Sequence, residues 1–230
     1  MITRAIDKIK KEIQETAIAS GRLPEDITLI AVTKTRTIDE MQEVQNLGLI
    51  DFGENRVQEL EGKYDKFDDQ VNWHLIGHLQ RNKVKNIIDK VKLIHSVDSL
   101  RLAKMINKEA AKHQIVAKIL IQVNVANEDT KFGLHVEEVL PLLEKISVFK
   151  NIQVRGLMTM APYTLVPEES RKYFQKLKKL SVDIDNQKID NIFMEELSMG
   201  MTNDYLVAIE EGATIIRVGT GIFGDREYNN

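Results

Sequence analysis

The sequence predicts an α/β protein: a single (β/α)8 TIM barrel domain spanning residues 1–230, with an additional helix at the N-terminus. Three observations predict it. Short apolar runs alternate with amphipathic segments along the whole chain, the strand-like runs from Ile27 onward number eight, and no stretch rich in proline, glycine or serine interrupts them. Eight alternations in 230 residues suit a barrel of roughly 250 residues better than an open doubly wound sheet of about five or six strands, which stands as the alternative.

The elements follow in order. Ile2, Ile6, Ile9, Ile13 and Ala17 recur at helical spacing with charged residues between them, and Gly21 and Pro24 end this first helix. ITLIAV (27–32) is a β-branched run too short for a helix, so it reads as strand 1. Ile38, Met41, Val44 and Leu47 return to helical spacing and stop at Gly48. Further strands are expected at LIDF (49–52), WHLIG (73–77), LIHSV (93–97), KILIQVNV (118–125), QVRGLM (153–158), NIFMEEL (191–197) and TIIRVG (214–219). Between them, Leu100, Ala103, Ile106 and Ala110 form a helix after a cap at Asp98, and Val136, Val139, Leu142, Leu143 and Ile146 form another before Asn151. ELEGKYDKFDDQ (59–70) reads as a polar surface connection.

Composition narrows the function. A hydrophobic content of 43% can fill a core, and a net charge of −3, with charges interspersed, gives no global attraction for nucleic acid or an anionic membrane. Without cysteine there is no disulfide framework, thiolate nucleophile or cysteine metal site, and a reducing cytoplasm is the expected compartment. The opening MITRAIDKIKKEI lacks the apolar core of a secretory signal, and no apolar run approaches the ~20 residues of a membrane span.

In such a barrel the chemistry lies where each strand ends. Lys34 follows strand 1, Gly53-Glu54-Asn55 strand 2, His78 strand 3, Ser198 to Thr202 strand 7, and Gly219-Thr220-Gly221 strand 8. A lysine opening a surface loop is the plain reading of Lys34. The last two loops, however, combine small residues with hydroxyls where barrels often bind phosphate. A lysine facing a phosphate site suggests amine chemistry on an aldehyde, which fits a sugar phosphate or pyridoxal 5'-phosphate (PLP). His74 and His78 share a strand face but have no evident third ligand, so no metal site is expected. Arg81, Lys83 and Lys85 form a small basic group, either solvated surface or an attractor of phosphorylated ligands.

AVTKT, FGENRVQE, WHLIGHLQRNK, HSVDS, QVNVANEDTKFG, RGLMTM, LSMGMTNDY and IRVGTGIFG, together spanning about Leu29 to Gly224, resemble the motifs of the YggS/PROSC family of pyridoxal phosphate homeostasis proteins. The resemblance implies the barrel found as the N-terminal domain of alanine racemase, PLP as cofactor, and no established catalytic activity. It implies that Lys34 forms the internal aldimine and that Ser198, Gly200, Gly219 and Thr220 cradle the phosphate, with Met199 and Thr202 in the same loop. It further implies that Arg217 faces the pyridine nitrogen and that Asn55 makes a polar contact near the ring. Thr33 and Thr202 stand where serine is frequent and Gly221 where alanine is, changes that preserve the chemistry. Phe132 stands where a small polar residue is common after Lys131, which leaves the role of the 127–133 loop open.

Two functions compete: a PLP carrier that buffers, stores and delivers the cofactor, to PLP-dependent apo-enzymes among others, or an enzyme, either an amino-acid racemase or a Schiff-base aldolase. An arginine at the ring nitrogen disfavours its protonation and weakens the electron sink. Two-base racemization needs a group on each face. The second, β-rich domain of alanine racemases is expected to be missing, since the chain ends at Asn230. Tyr64, Tyr163, Tyr173, Tyr205 and Tyr228 fall in surface-like or loop segments. The expectation is therefore a monomeric carrier with no catalytic residue, no nucleic-acid partner and no membrane association.

Overall fold

The computed structural model describes residues 1–128 and 131–225. Eight parallel strands close into one barrel in the order of the sequence: β1 (Thr28–Val32), β2 (Asp51–Glu54), β3 (Asn72–Leu75), β4 (Leu93–Val97), β5 (Ala117–Gln122), β6 (Ile152–Met158), β7 (Ile192–Met201) and β8 (Ile215–Val218). β8 closes on β1, with Ile30 opposite Arg217 and Ala31 opposite Val218. The outer layer holds α1 (Ile2–Ala19), α2 (Ile38–Asn46), α3 (Val57–Tyr64), α4 (Leu100–Lys112), α5 (Val136–Ile146), α6 (Arg171–Asp185), α7 (Tyr205–Glu210) and α8 (Thr220–Phe223). All five predicted apolar positions of α1 are buried. They pack it against α7 and against α8, the last helix, of only four residues.

Several expectations shift. Strand 2 was expected at 49–52 but pairs at 51–54, so Gly53 and Glu54 belong to the sheet, and strand 7 runs on to Met201 beyond the expected 197. The stretch 59–70 is not merely a connection: α3 occupies its first half, burying Val57 and Leu60. Between β3 and β4 the outer element is a 3-10 helix, Arg81–Asn86, rather than an α-helix. The cap of α4 is Ser99, not Asp98; its hydroxyl accepts from the Leu102 N–H.

Side chains alternate across each strand, and this sorts the interior into layers. Ile30, Leu93, Leu120, Met158 and Ile215, from five strands, form a buried cluster of their own inside the barrel. Two residues further along three of those strands the same face carries His95, Gln122 and Arg217, all buried. The lower interior is thus apolar and the layer above it polar.

Gly156 marks the tightest point of the wall. Its φ is +154°, and a Cβ there would lie 1.8 Å from the Glu196 carbonyl oxygen, where the β6–β7 register slips. Gly156→Ala is expected to cost ~3 kcal/mol or more, combining a strained backbone with overpacking. That corresponds to a fall in Tm of roughly 6–12 °C, and an unchanged melt would remove the close approach.

Candidate ligand site

Lys34 lies in the tight turn after β1, closed by the Arg36 N–H donating to the Thr33 carbonyl (3.0 Å). The next residue, Thr35, has φ +64°, an uncommon conformation for a β-branched residue. The surrounding structure stabilises it: the Thr35 N–H donates to Glu59 Oε2 (2.8 Å), and Lys63 Nζ donates to the Thr33 carbonyl (2.7 Å). Lys63 also donates to Glu54 Oε1 (2.7 Å), which accepts from the Thr33 hydroxyl at 2.6 Å. Burial pushes the fully buried Glu54 carboxyl above its ordinary pKa, against the pull of Lys63 and Thr33. Backbone strain at the lysine turn is therefore braced by Glu54, Glu59 and Lys63. Glu54 was expected at a strand end but given no role, whereas Glu59 and Lys63 were missed, both lying in the stretch read as a surface connection.

Asn55 is half-buried just beyond β2, and its Oδ1 is buried with no hydrogen-bond partner among the described residues. Such an orphaned acceptor costs about 1–3 kcal/mol unless something else satisfies it. The adjoining backbone is closely packed: a Cβ on Gly77 would lie 2.3 Å from the Asn55 carbonyl oxygen. A cavity of about 510 Å3, lined by Asn55, Arg56, Gln58, His78 and Lys83 among others, opens here.

After β7 and β8, Thr202 and Thr220 bring their hydroxyls to 3.1 Å, and the Gly221 N–H donates to Thr202 Oγ1 (3.2 Å). Gly219 precedes α8, where an added Cβ would stand 3.4 Å from Val32 Cβ on β1. Gly200 has φ +90° and presses on α7, with its virtual Cβ 2.5 Å from Ala208 Cβ, so only glycine lets the loop reach Thr202 unstrained. Met199 points away from the barrel axis into the outer core.

Ser198 differs from expectation. It lies within β7, fully buried, and its hydroxyl accepts from Arg217 Nη1 while lying 2.9 Å from His95 Nδ1. Both sides of that hydroxyl are engaged, so Ser198 is coupled to Arg217 instead of joining the Thr202–Thr220 pair. Arg217, 4% exposed, also donates from Nη2 to the Thr159 carbonyl (2.9 Å). Burial lowers its pKa to about 10, with Asp204 pulling the other way.

His74 and His78 do not act together. His74 is buried inside the barrel, whereas His78 is exposed on the rim, 3.8 Å from Asp98 and stacked on Phe132 at 4.3 Å. Phe132 thus covers the His78 ring, with Lys131 3.9 Å from Glu128; Asp129 and Thr130 lie outside the described residues. Of the basic group, Arg81 and Lys83 line neighbouring cavities, while Lys85 is exposed. Among the described residues no group of three metal-ligating side chains that could hold an ion occurs, and no helix is long and apolar enough to cross a membrane. Tyr205 is no surface residue: it is buried and its hydroxyl donates to Glu12. Tyr228 lies outside the described residues.

The sequence and the closed parallel barrel it builds match one class of protein. The profile of the family described as alanine racemase, N-terminal domain, covers residues 7–227. Its relatives include the pyridoxal phosphate homeostasis protein of Aquifex aeolicus (strain VF5), 44% identical over 97% of each chain. That of Pseudomonas aeruginosa is 36% identical over 99% of this chain and 96% of its own. The chain belongs to the family of pyridoxal phosphate homeostasis proteins. A solved structure of PipY from Synechococcus elongatus PCC7942, with PLP bound, is 32% identical, has a TM-score of 0.84 and covers 97% of this chain and 100% of that one. An alanine racemase of Clostridium difficile 630, at 17% identity and TM-score 0.71, shares the fold over 95% of this chain and 56% of that one.

Proposed function

We propose that residues 1–230 form one PLP-binding domain that buffers, stores and delivers the cofactor, with no strong catalysis of its own. The observation that carries this reading is the convergence, at one end of the barrel, of the Lys34 turn, the orphaned Asn55 acceptor, the Thr202–Thr220 pair and buried Arg217. Those residues fit the group: among the described residues the Asn55 acceptor has no partner, and the buried Arg217 cation has no carboxylate in hydrogen-bond contact. When bound, the cofactor would supply an aldehyde able to condense reversibly with a lysine amine and a phosphate carrying roughly −1.5 to −2 charge. In this reading Lys34 holds the aldehyde end. Thr202, Gly219 and Thr220, with the Gly200 and Met199 backbone beside them, hold the phosphate, and Asn55 satisfies its acceptor near the ring. Ser198 is reassigned from the phosphate to the support of Arg217.

Arg217 faces the ring nitrogen and disfavours its protonation by like-charge repulsion, which weakens the ring as an electron sink. Tyr205, committed to Glu12, is not available as a second acid–base group. The relatives' name and the PLP bound to PipY support the cofactor; the absence of cysteine supports a cytoplasmic location, and the acting unit is read as a monomer.

The test mixes PLP-loaded protein with the apo-form of a PLP-dependent enzyme. Restored enzyme activity, with no protein-dependent exchange of amino-acid α-protons in deuterated water, is the expected result. Robust exchange that vanishes in Lys34→Ala would establish a racemase-like enzyme in place of a carrier.

A further inference from the structure

A line of hydrogen bonds runs through the barrel from its N-terminal end to Arg217. Asp51, the first residue of β2, lies 3.0 Å through Oδ1 from His74 Nε2. His74 Nδ1 lies 3.0 Å from His95 Nε2, and His95 Nδ1 lies 2.9 Å from Ser198 Oγ, which accepts from Arg217. Asp51 is on β2, His74 on β3, His95 on β4, Ser198 on β7 and Arg217 on β8, so five strands are joined across the interior. Only the Asp51 end approaches solvent, where Lys92 lies 3.3 Å away; both histidines are buried.

The chemistry of the two ends fixes the direction of every bond between them. A guanidinium only donates, so Ser198 Oγ accepts on that side and turns its own proton to His95 Nδ1. His95 then carries its proton on Nε2 and donates to His74 Nδ1, and His74 donates from Nε2 to Asp51, which as a carboxylate only accepts. The reverse order would require a protonated Asp51 or an extra proton on His74. Neither is favoured. Although burial pushes Asp51 up, His74 and Lys92 hold it below its ordinary pKa. Burial holds His74 down despite Asp51 and Glu196, and burial, His74 and Arg217 hold His95 further down.

We propose that His95, His74 and Asp51 are positioning residues for Arg217: through Ser198 they orient its guanidinium, and hence the charge presented to the bound ligand. The effect on the ligand rests on the PLP reading, whereas the order of the protons does not. The test therefore has two parts. In ligand-free, 15N-labelled protein at pH 7, NMR is expected to report both imidazoles neutral with the proton on Nε2. A proton on Nδ1 of either ring would overturn the proposal.

In the second part, Asp51→Leu removes the acceptor at the end remote from the rim, and Asp51→Asn retains one. Asp51→Leu is expected to mix the tautomers, shift the visible absorption maximum of PLP-loaded protein, and weaken PLP binding roughly tenfold, about the worth of one hydrogen bond. Asp51→Asn is expected to restore all three. A folded Asp51→Leu with wild-type tautomers and spectrum overturns the proposal. If Asp51→Leu does not fold, Ser198→Ala, which cuts the chain at its upper end, is measured instead; an unshifted absorption maximum there overturns it. Wild-type protein that gives no visible band with PLP would defeat the ligand reading while leaving the NMR result to decide the proton order.

Discussion

Lys34→Ala is expected to abolish the visible band that PLP gives with this protein and to leave no borohydride-fixed label. In wild-type protein that label should map to Lys34. The argument is geometric. The turn ordered by Glu54, Glu59 and Lys63 holds Lys34 just beyond β1, at the barrel end shared with Thr202, Thr220 and Arg217. Affinity should fall without vanishing, because the phosphate would retain charge-assisted hydrogen bonds worth ~1.5–3 kcal/mol each. The fold should barely notice: Lys34 is half-buried on a turn whose backbone bonds alanine preserves, so stability should stay within about 0.5 kcal/mol. Peptide mass and calorimetry check the two halves. A label at Lys131 or Lys83, or a variant with no residual affinity, would sink the assignment.

The barrel was legible because its signal is periodic. Eight apolar runs survive as eight strands, and α1 buries the five positions its spacing named. Boundaries failed where packing decided them. Glu54 ends a strand despite its charge because Lys63 and Thr33 partner it behind the sheet, a pairing nine and twenty-one residues apart that no local pattern carries. For the same reason α3 was lost in a polar-looking stretch: only Val57 and Leu60 of its eight residues are buried.

The site was legible as positions on strand ends rather than as contacts. Lys34, Asn55, Thr202, Gly219 and Thr220 lie on or just past those ends, while Met199 turns outward and Ser198 faces Arg217 because alternation along β7 carries further than expected. The histidines show the limit most clearly. His74 and His95 lie in different strand runs, and only the closed barrel brings their facing ring nitrogens to 3.0 Å.

That buried pair gives the other large expected effect: the ligand-free protein should lose stability as pH falls below about 6.5. His95 is held well below its ordinary 6.5, first by burial and then by His74 and Arg217, and burial lowers His74 in the same sense. A base with a depressed folded pKa binds its proton more tightly in the unfolded chain, so unfolding takes up protons and acid drives it. The penalty is absent above the unfolded value of 6.5 and grows by ~1.4 kcal/mol per pH unit for each histidine still neutral in the fold. His95 therefore predicts a Tm that falls as the pH drops below 6.5, and His74 adds to it. Asp51, held below its ordinary 3.8, extends the loss only at lower pH. Glu54 and Asp98 oppose it: burial raises both carboxyls above their ordinary values, so each takes up its proton at higher pH in the fold than in the unfolded chain and favours the fold as pH falls toward its unfolded value. The histidine loss should thus set in first, just below pH 6.5, where the histidines begin to titrate in the unfolded chain. Melting curves across that range check it, with His95→Gln, which keeps hydrogen-bonding capacity but cannot titrate, expected to flatten the slope. Equal wild-type stability at pH 7 and pH 5 would mean that the rings accept a proton inside the barrel, and the fixed order of the hydrogen-bond chain would not hold at the lower pH.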